Sequence, residues 1–289
     1  MPKIDREILL GHIKETAAAI IDDTDDTLFN RYVTLIRSVH PYSLRNKLLI
    51  AWQAPDSRLV ASKTAFDTIA KEQGHDGVKF GKPPKTWKQH IIFRKGSQHI
   101  GILRREIYKR KVEDPETGDV DEVSGTWYPT AQVWAAEDIV YCDTKEPFEV
   151  PDFVHEVDDV GAYEKLLTLA ATEGIVVEHT NVAAGNSMTR GTSSGGTIRL
   201  QAGDPPGKLL PVLVHELAHE FMHHNGDERP PKDMVEAEAE ATCAVVLRWL
   251  GQDTRAQSGY LRQWGATPDM VLASMGRIDK CARRITEVL

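Results

Sequence analysis

Residues 209–222 read LLPVLVHELAHEFM, and the reading of this run decides the C-terminal part of the chain. Its apolar residues predict a buried helix, and polar side chains carried into a core need partners. His215 and His219 stand four apart, so they project from one face, one turn apart. Two neutral imidazoles placed so fill two corners of a tetrahedral zinc site. Glu216 lies beside them, where it can take a proton from a metal-activated water. The plain alternative is a pair of core histidines satisfied by hydrogen bonds.

A third protein ligand is needed. The long metzincin pattern requires Gly at 222 and His at 225, but these positions hold Met222 and Asn225. The following helix, VEAEAEATCAVVLRWLG, offers Glu236 instead. Glu240, four residues on, would then sit behind a ligating histidine and orient it. Glu238 points about 200° away at 100° per residue, which predicts a solvated or domain-contact carboxylate. His223 continues the metal face by a further turn and is expected to pack behind the ligands, with His224 on the surface. Tyr260 and Arg190 are candidates to stabilise an oxyanion, and nothing in their spacing selects either.

Outward from this helix, the 289 residues show ordinary globular composition, 41% hydrophobic and 27% charged. Cys142, Cys243 and Cys281 lie far apart, without Cys-x-x-Cys spacing, which fits a reducing cytoplasmic setting and argues against a disulfide framework. There is no apolar run long enough to span a bilayer, and MPKIDREILL does not read as a signal peptide. The net charge of −8 conceals a division. Residues 1–111 carry 21 Lys/Arg and 12 Asp/Glu, a balance of +9, whereas the rest carries 14 and 31, a balance of −17. Such asymmetry predicts two units with different partners, the basic one suited to a polyanion.

Helical spacing predicts helices over DREILLGHIKETAAAIID and DTLFNRYVTLIRSV, with Asp26 or Thr27 capping the second, and over YSLRNKLLIAWQ, capped by Ser43. Residues 79–140 read as short strands, with EDPETGDVDEVSG as an exposed hairpin loop. DTKEPFEVPDFVHEVDD reads as a linker. AYEKLLTLAATEG is a helix closed by Gly174, IVVEHT a strand, and GTSSGGTIRL a turn and an edge strand. Three helices then complete the chain, and no internal repeat is present. Between Arg45 and Lys111 there are 16 basic and 5 acidic residues, interleaved with Trp52, Phe66, Phe80, Trp87, Phe93 and Tyr108. Basic side chains tracking phosphates and rings stacking on bases suit single strands. Tyr42, Arg45, Asn46, Lys47, Lys85, Trp87, Arg94 and Lys95 are the candidate contacts.

VLVHELAHEFMHH, followed by EAEAEATCAVVLRWLG and SGYLRQW, resembles the ImmA/IrrE group of gluzincin-type metallopeptidases. YSLRNKLLIAWQAPDSRLVASKTAF, FRKGSQHIGIL and WYPTAQVW resemble the N-terminal domain of ArdC-type antirestriction proteins. The resemblance implies an α+β chain of two domains. The first, 1–143, would bind single-stranded DNA; 144–160 would link; 161–289 would be a zincin-like metallopeptidase domain with a small sheet and active-site helices. It also implies Zn2+ held by His215, His219 and Glu236, with Glu216 as general base, and a protein substrate. Two alternatives stand beside it. One is a DNA-protecting antirestriction protein with a structural zinc, and the other a protease of a single transcriptional repressor.

Overall fold

Short apolar runs between residues 59 and 149 pair into three small sheets, and a fourth lies beside the HELAH helix. The computed structural model describes residues 5–22, 27–28, 42–57, 59–82, 84–85, 91–113, 120–149, 158–182, 190–224, 231–252 and 267–289. Trp87, Tyr260 and most of the helix expected over 26–39 lie outside them. The fold is α+β, and the chain divides into two compact units, Met1–Ile13 with Pro41–Val150 and Lys14–His40 with Pro151–Leu289. That grouping places residues 14–40 with the second unit, whereas the sequence puts all of 1–143 in the first. Helix α1 (Arg6–Asp22) buries Leu9, Ile13, Ala17 and Ile20, the single face that their spacing of three and four requires.

In the first unit, α2 (Leu44–Gln53) precedes β1 (Val60–Ala61), and α3 (Lys63–Glu72) follows it. Ser62 caps α3 by accepting from the Ala65 N–H at 3.1 Å. Ser43 occupies the cap position of α2 but makes no capping bond with its side chain. Strands β2 (Val78–Lys79), β3 (Ile91–Phe93), β4 (Ile100–Leu103), β5 (Glu106–Glu113), β6 (Val120–Trp127), β7 (Thr130–Ala135) and β8 (Ile139–Tyr141) complete it. They assemble in the orders β1-β7-β4 and β2-β3-β8, with β5-β6 as an antiparallel hairpin. The core between them gathers Phe66, Val78, Ile91, Phe93, Trp134, Ile139 and Phe148. The hairpin is longer than its acidic sequence predicts, because residues 120–125 pair with 108–113 and do not loop. Strands exposed to water tolerate carboxylates, so composition alone misplaces their ends.

Strand β4 is the edge of its sheet, and α2 closes that edge with side-chain amides. Asn46 donates to the Leu103 carbonyl and accepts from its N–H, both at 2.8 Å. Gln53, two turns along the same face, does the same for Gly101 at 2.9 and 2.8 Å. Each amide stands in for the missing neighbouring strand.

In the second unit, α4 (Asp159–Thr172) is capped by Asp158, which accepts from the Gly161 N–H at 2.7 Å. It closes at Gly174, whose φ of 73° lies in the left-handed region that favours glycine. Strands β9 (Val176–Thr180), β10 (Gly191–Ser193) and β11 (Thr197–Gln201) form a sheet in the order β10-β11-β9. Helix α5 (Pro206–His223) packs against it, and α6 (Lys232–Trp249) and α7 (Pro268–Thr286) pack on α5 and on each other. Leu209, Leu210, Leu213, Val214, Leu217 and Ala218 of α5 are all buried, so this helix is central to its unit.

Candidate metal centre and nucleic-acid interface

Helix α5 carries the expected motif, and α6 crosses it so that one acidic residue meets two imidazoles. The His215 and His219 Nε2 atoms lie 3.0 Å apart, and the Glu236 Oε2 lies 3.6 Å from the first and 3.5 Å from the second. A tetrahedral ion with bonds of about 2.1 Å separates its donors by about 3.4 Å, so the three atoms fit one zinc ion. Among the described residues these three form the one group of His, Cys, Asp and Glu able to share an ion. Burial first, and then the neighbouring His215, lower the His219 pKa to about 4. It therefore stays neutral near pH 7, as a metal ligand must.

Glu216 is buried, and this desolvation pushes its carboxyl up to about 7. A hydrogen bond from Ser193 opposes the rise, and Glu236 and Glu220 add to it. A cation at the triad would draw it back down. Strand β10 lies directly against this carboxylate: a Cβ at Gly191 would stand 2.4 Å from Val212 Cγ1 and 3.0 Å from Glu216 Oε1.

Three neighbours differ from expectation. Glu238 is not solvated; it is fully buried, and Arg277 of α7 donates to it through Nε at 3.2 and 3.0 Å and through a terminal nitrogen. It sits between Arg277 of α7 and His223 of α5. Glu240 is exposed and makes no hydrogen bond or ion pair among the described residues, so it orients neither histidine. His224 is not on the open surface; its Nε2 lies 3.5 Å from the Ser193 hydroxyl. His223 is buried, its ring beside His219 and its Nε2 3.7 Å from Glu238. Burial depresses its pKa, and Glu238 raises it. Arg190 is exposed at the entry to β10, ion-paired with Asp204, and Tyr260 lies outside the described residues.

The first unit presents a groove of about 1160 Å³ floored by β7, with Tyr42, Arg45, Arg104, Arg105 and Tyr128 on its walls. Among the described residues, no carboxylate lines it. A second hollow of about 680 Å³ brings together Trp52, Arg94, Lys95 and His99, but Asp138 lines it as well. Polyanions favour the first on charge. Tyr42, Arg45, Arg94 and Lys95 therefore stand at open hollows, and Lys85 is exposed. Asn46 also lines the first groove, but it is buried there with its amide committed to β4, and Lys47 lines neither hollow and is fully buried. Neither can reach a phosphate from inside α2. The residues that sequence reasoning missed are Ser193, Glu220, Arg277, Arg104, Arg105 and Tyr128. Only Glu220 carried a local signal, since it follows Glu216 at the same four-residue step that joins the histidines.

No family model matches the sequence, and no curated protein matches it. Among solved structures, the chain is similar to the metal-free crystal structure of the antirestriction protein ArdC from plasmid R388. The identity is 15%, the match covers 95% of this chain and 96% of that one, and the TM-score is 0.52. The Mn(II)-bound structure of ArdC from the same plasmid matches at 12% identity over 98% of both chains, with a TM-score of 0.50. At such identity the likeness concerns the fold, and it runs through both units.

Proposed function

We propose that the chain is a zinc-dependent peptidase joined to a single-stranded-DNA-binding unit, which cleaves a DNA-bound or regulatory protein in an antirestriction or stress-response setting. The observation that carries this reading is the meeting of His215, His219 and Glu236 around one point, with the buried carboxylate of Glu216 beside it. The three ligands would hold Zn2+, which supplies Lewis acidity to the scissile carbonyl and to water. Glu216 takes the proton of the attacking water and passes it to the leaving amide nitrogen. Its buried position keeps that proton from bulk solvent. The groove bearing Arg45, Arg105 and Tyr128 would hold single-stranded DNA through phosphate contacts and base stacking.

The test incubates zinc-loaded full-length protein with candidate DNA-binding proteins, with and without single-stranded DNA, followed by mass spectrometry. New peptide termini should appear with the wild type and vanish with Glu216→Gln. Their absence for every candidate counts against the peptidase. The likeness to ArdC favours a second reading, a DNA-protecting antirestriction protein whose metal is structural. Protection of DNA from a restriction endonuclease that survives Glu216→Gln would select this second reading.

A further inference from the structure

The end of α2, the turn after β3 and the residue before β8 enclose the hollow of about 680 Å³, and hydrogen bonds fix each wall. Gln53 ties the end of α2 to the Gly101 backbone, which settles where Trp52, the residue before it, stands. Residues 94–97 form a tight turn, in which the Ser97 N–H and hydroxyl both donate to the Arg94 carbonyl, at 3.1 and 2.6 Å. Gly96 takes the φ of 91° that the third position of such a turn requires. The turn is pinned to Asp138, whose carbonyl accepts from the Arg94 N–H at 2.7 Å.

Three chemistries meet on these walls. Trp52 stacks on His12, with ring centroids 3.6 Å apart and planes inclined by 21°, yet it stays 49% exposed and lines the hollow. One side of the indole is thus backed, and the ring is still open to a second flat partner. Arg94 and Lys95 are exposed side by side on the turn and form no ion pair among the described residues. Asp138, partly buried, is the one carboxylate among the described lining residues.

A strand crossing a surface gains from uniform positive charge, and Asp138 opposes that. A single nucleotide needs something else: cations for its phosphate, a ring for its base and hydrogen-bond partners for the base edge. The volume also lies within the range of about 300–1,000 Å³ usual for small-molecule sites. An ionised carboxylate only accepts hydrogen bonds, so it favours a base edge with adjacent N–H groups. Guanine presents such a pair at N1 and N2, whereas thymine flanks its single N–H with carbonyls. We propose that this hollow binds one guanine nucleotide, with the base on Trp52, the phosphate on Arg94 and Lys95, and the N–H edge read by Asp138. The site is separate from the groove proposed for single-stranded DNA and does not involve the metal centre. The same chemistry serves a free nucleotide and the phosphorylated end of a strand.

The test titrates the full-length protein with dGMP and with dTMP by calorimetry. dGMP should saturate one site and bind about 10-fold tighter than dTMP, the discrimination of one good base-edge pair. Trp52→Ala should weaken dGMP by about 10-fold, and Trp52→Phe, which keeps a stacking ring, should restore most of the loss. Asp138→Asn should remove most of the preference for dGMP, and Arg94→Ala with Lys95→Ala should weaken both nucleotides alike. Oligo-dT affinity should not follow Trp52, so a chain that binds dGMP but not oligo-dT counts against the groove and not against this site. Equal affinity for dGMP and dTMP overturns the proposal, as does dGMP binding indifferent to Trp52→Ala. Loss of dGMP and oligo-dT in step in Trp52→Ala overturns it too, because the hollow is then part of the path of the strand. Oligonucleotides ending in a phosphorylated dG distinguish the sources. Competition with dGMP that needs the terminal phosphate assigns the site to strand ends, and lack of competition assigns it to the free nucleotide.

Discussion

Helices α2 and α5 both carry polar residues into a core, and they use them in opposite ways. In α5 the two ligand histidines turn toward other side chains, so His215 and His219 meet Glu236 and their donor atoms stay available to an ion, whereas Glu220 is spent on the backbone N–H groups of Gly195 and Gly196. In α2 they turn toward backbone, and Asn46 and Gln53 are consumed by the edge of β4. A polar residue on a buried helix is thus a candidate for chemistry only when its partner leaves a lone pair unspent. Desolvation demands a partner in both helices but does not say which kind.

The contrast can be broken in several ways, taken from the largest expected effect downward. Arg277→Ala should destabilise the chain by about 3 kcal/mol in urea unfolding, because it leaves the fully buried Glu238 without its guanidinium. His219→Gln should cost more than about 100-fold in zinc affinity by calorimetry, beyond the loss typical of a residue that only supports a ligand. The same variant has a signature in the metal-free protein. His219 takes up a proton near pH 6.5 when unfolded and near about 4 when folded. Stability from this group is therefore complete above pH 6.5 and is lost as pH falls toward 4. Urea midpoints of His219→Gln should vary less across that window than those of the wild type.

Asn46→Ala should cost about 1–3 kcal/mol by orphaning the Leu103 N–H and carbonyl, yet leave zinc affinity untouched. A loss of DNA binding from a still-folded Asn46→Ala would instead make α2 a contact surface and erase the contrast drawn here. Smallest is the effect of Arg45→Ala with Arg105→Ala on binding to oligo-dT. Affinity should fall by about 10-fold, and the salt slope should decrease by about 1.4, at about 0.7 per phosphate contact on a single strand.

What the sequence revealed of this molecule follows from how local each signal is. The shared face of His215 and His219 was legible because four-residue spacing fixes it before any tertiary contact forms, whereas Glu236 meets them only through the packing of α6 on α5. Gly174 was legible for the same reason, since it stops a helix by its own backbone. Glu238 was misread because its burial depends on α7, about forty residues further on. Asn46 and Lys47 were misread because basic and amide residues beside aromatics look alike whether they face water or a strand edge. The acidic hairpin was cut short because charge predicts exposure well and strand ends poorly. Ser193 was invisible, since a serine in a glycine-rich run gives no sign of the histidine that it will meet.

The amides of α2 also bear on how the protein behaves at high concentration. An open strand edge is a template on which a second molecule can extend a sheet. By occupying the Gly101 and Leu103 positions from within, Asn46 and Gln53 deny that template to another copy. Gln53→Ala, still able to fold, would thus turn a guarded edge into a sticky one, and its first symptom would be self-association on storage.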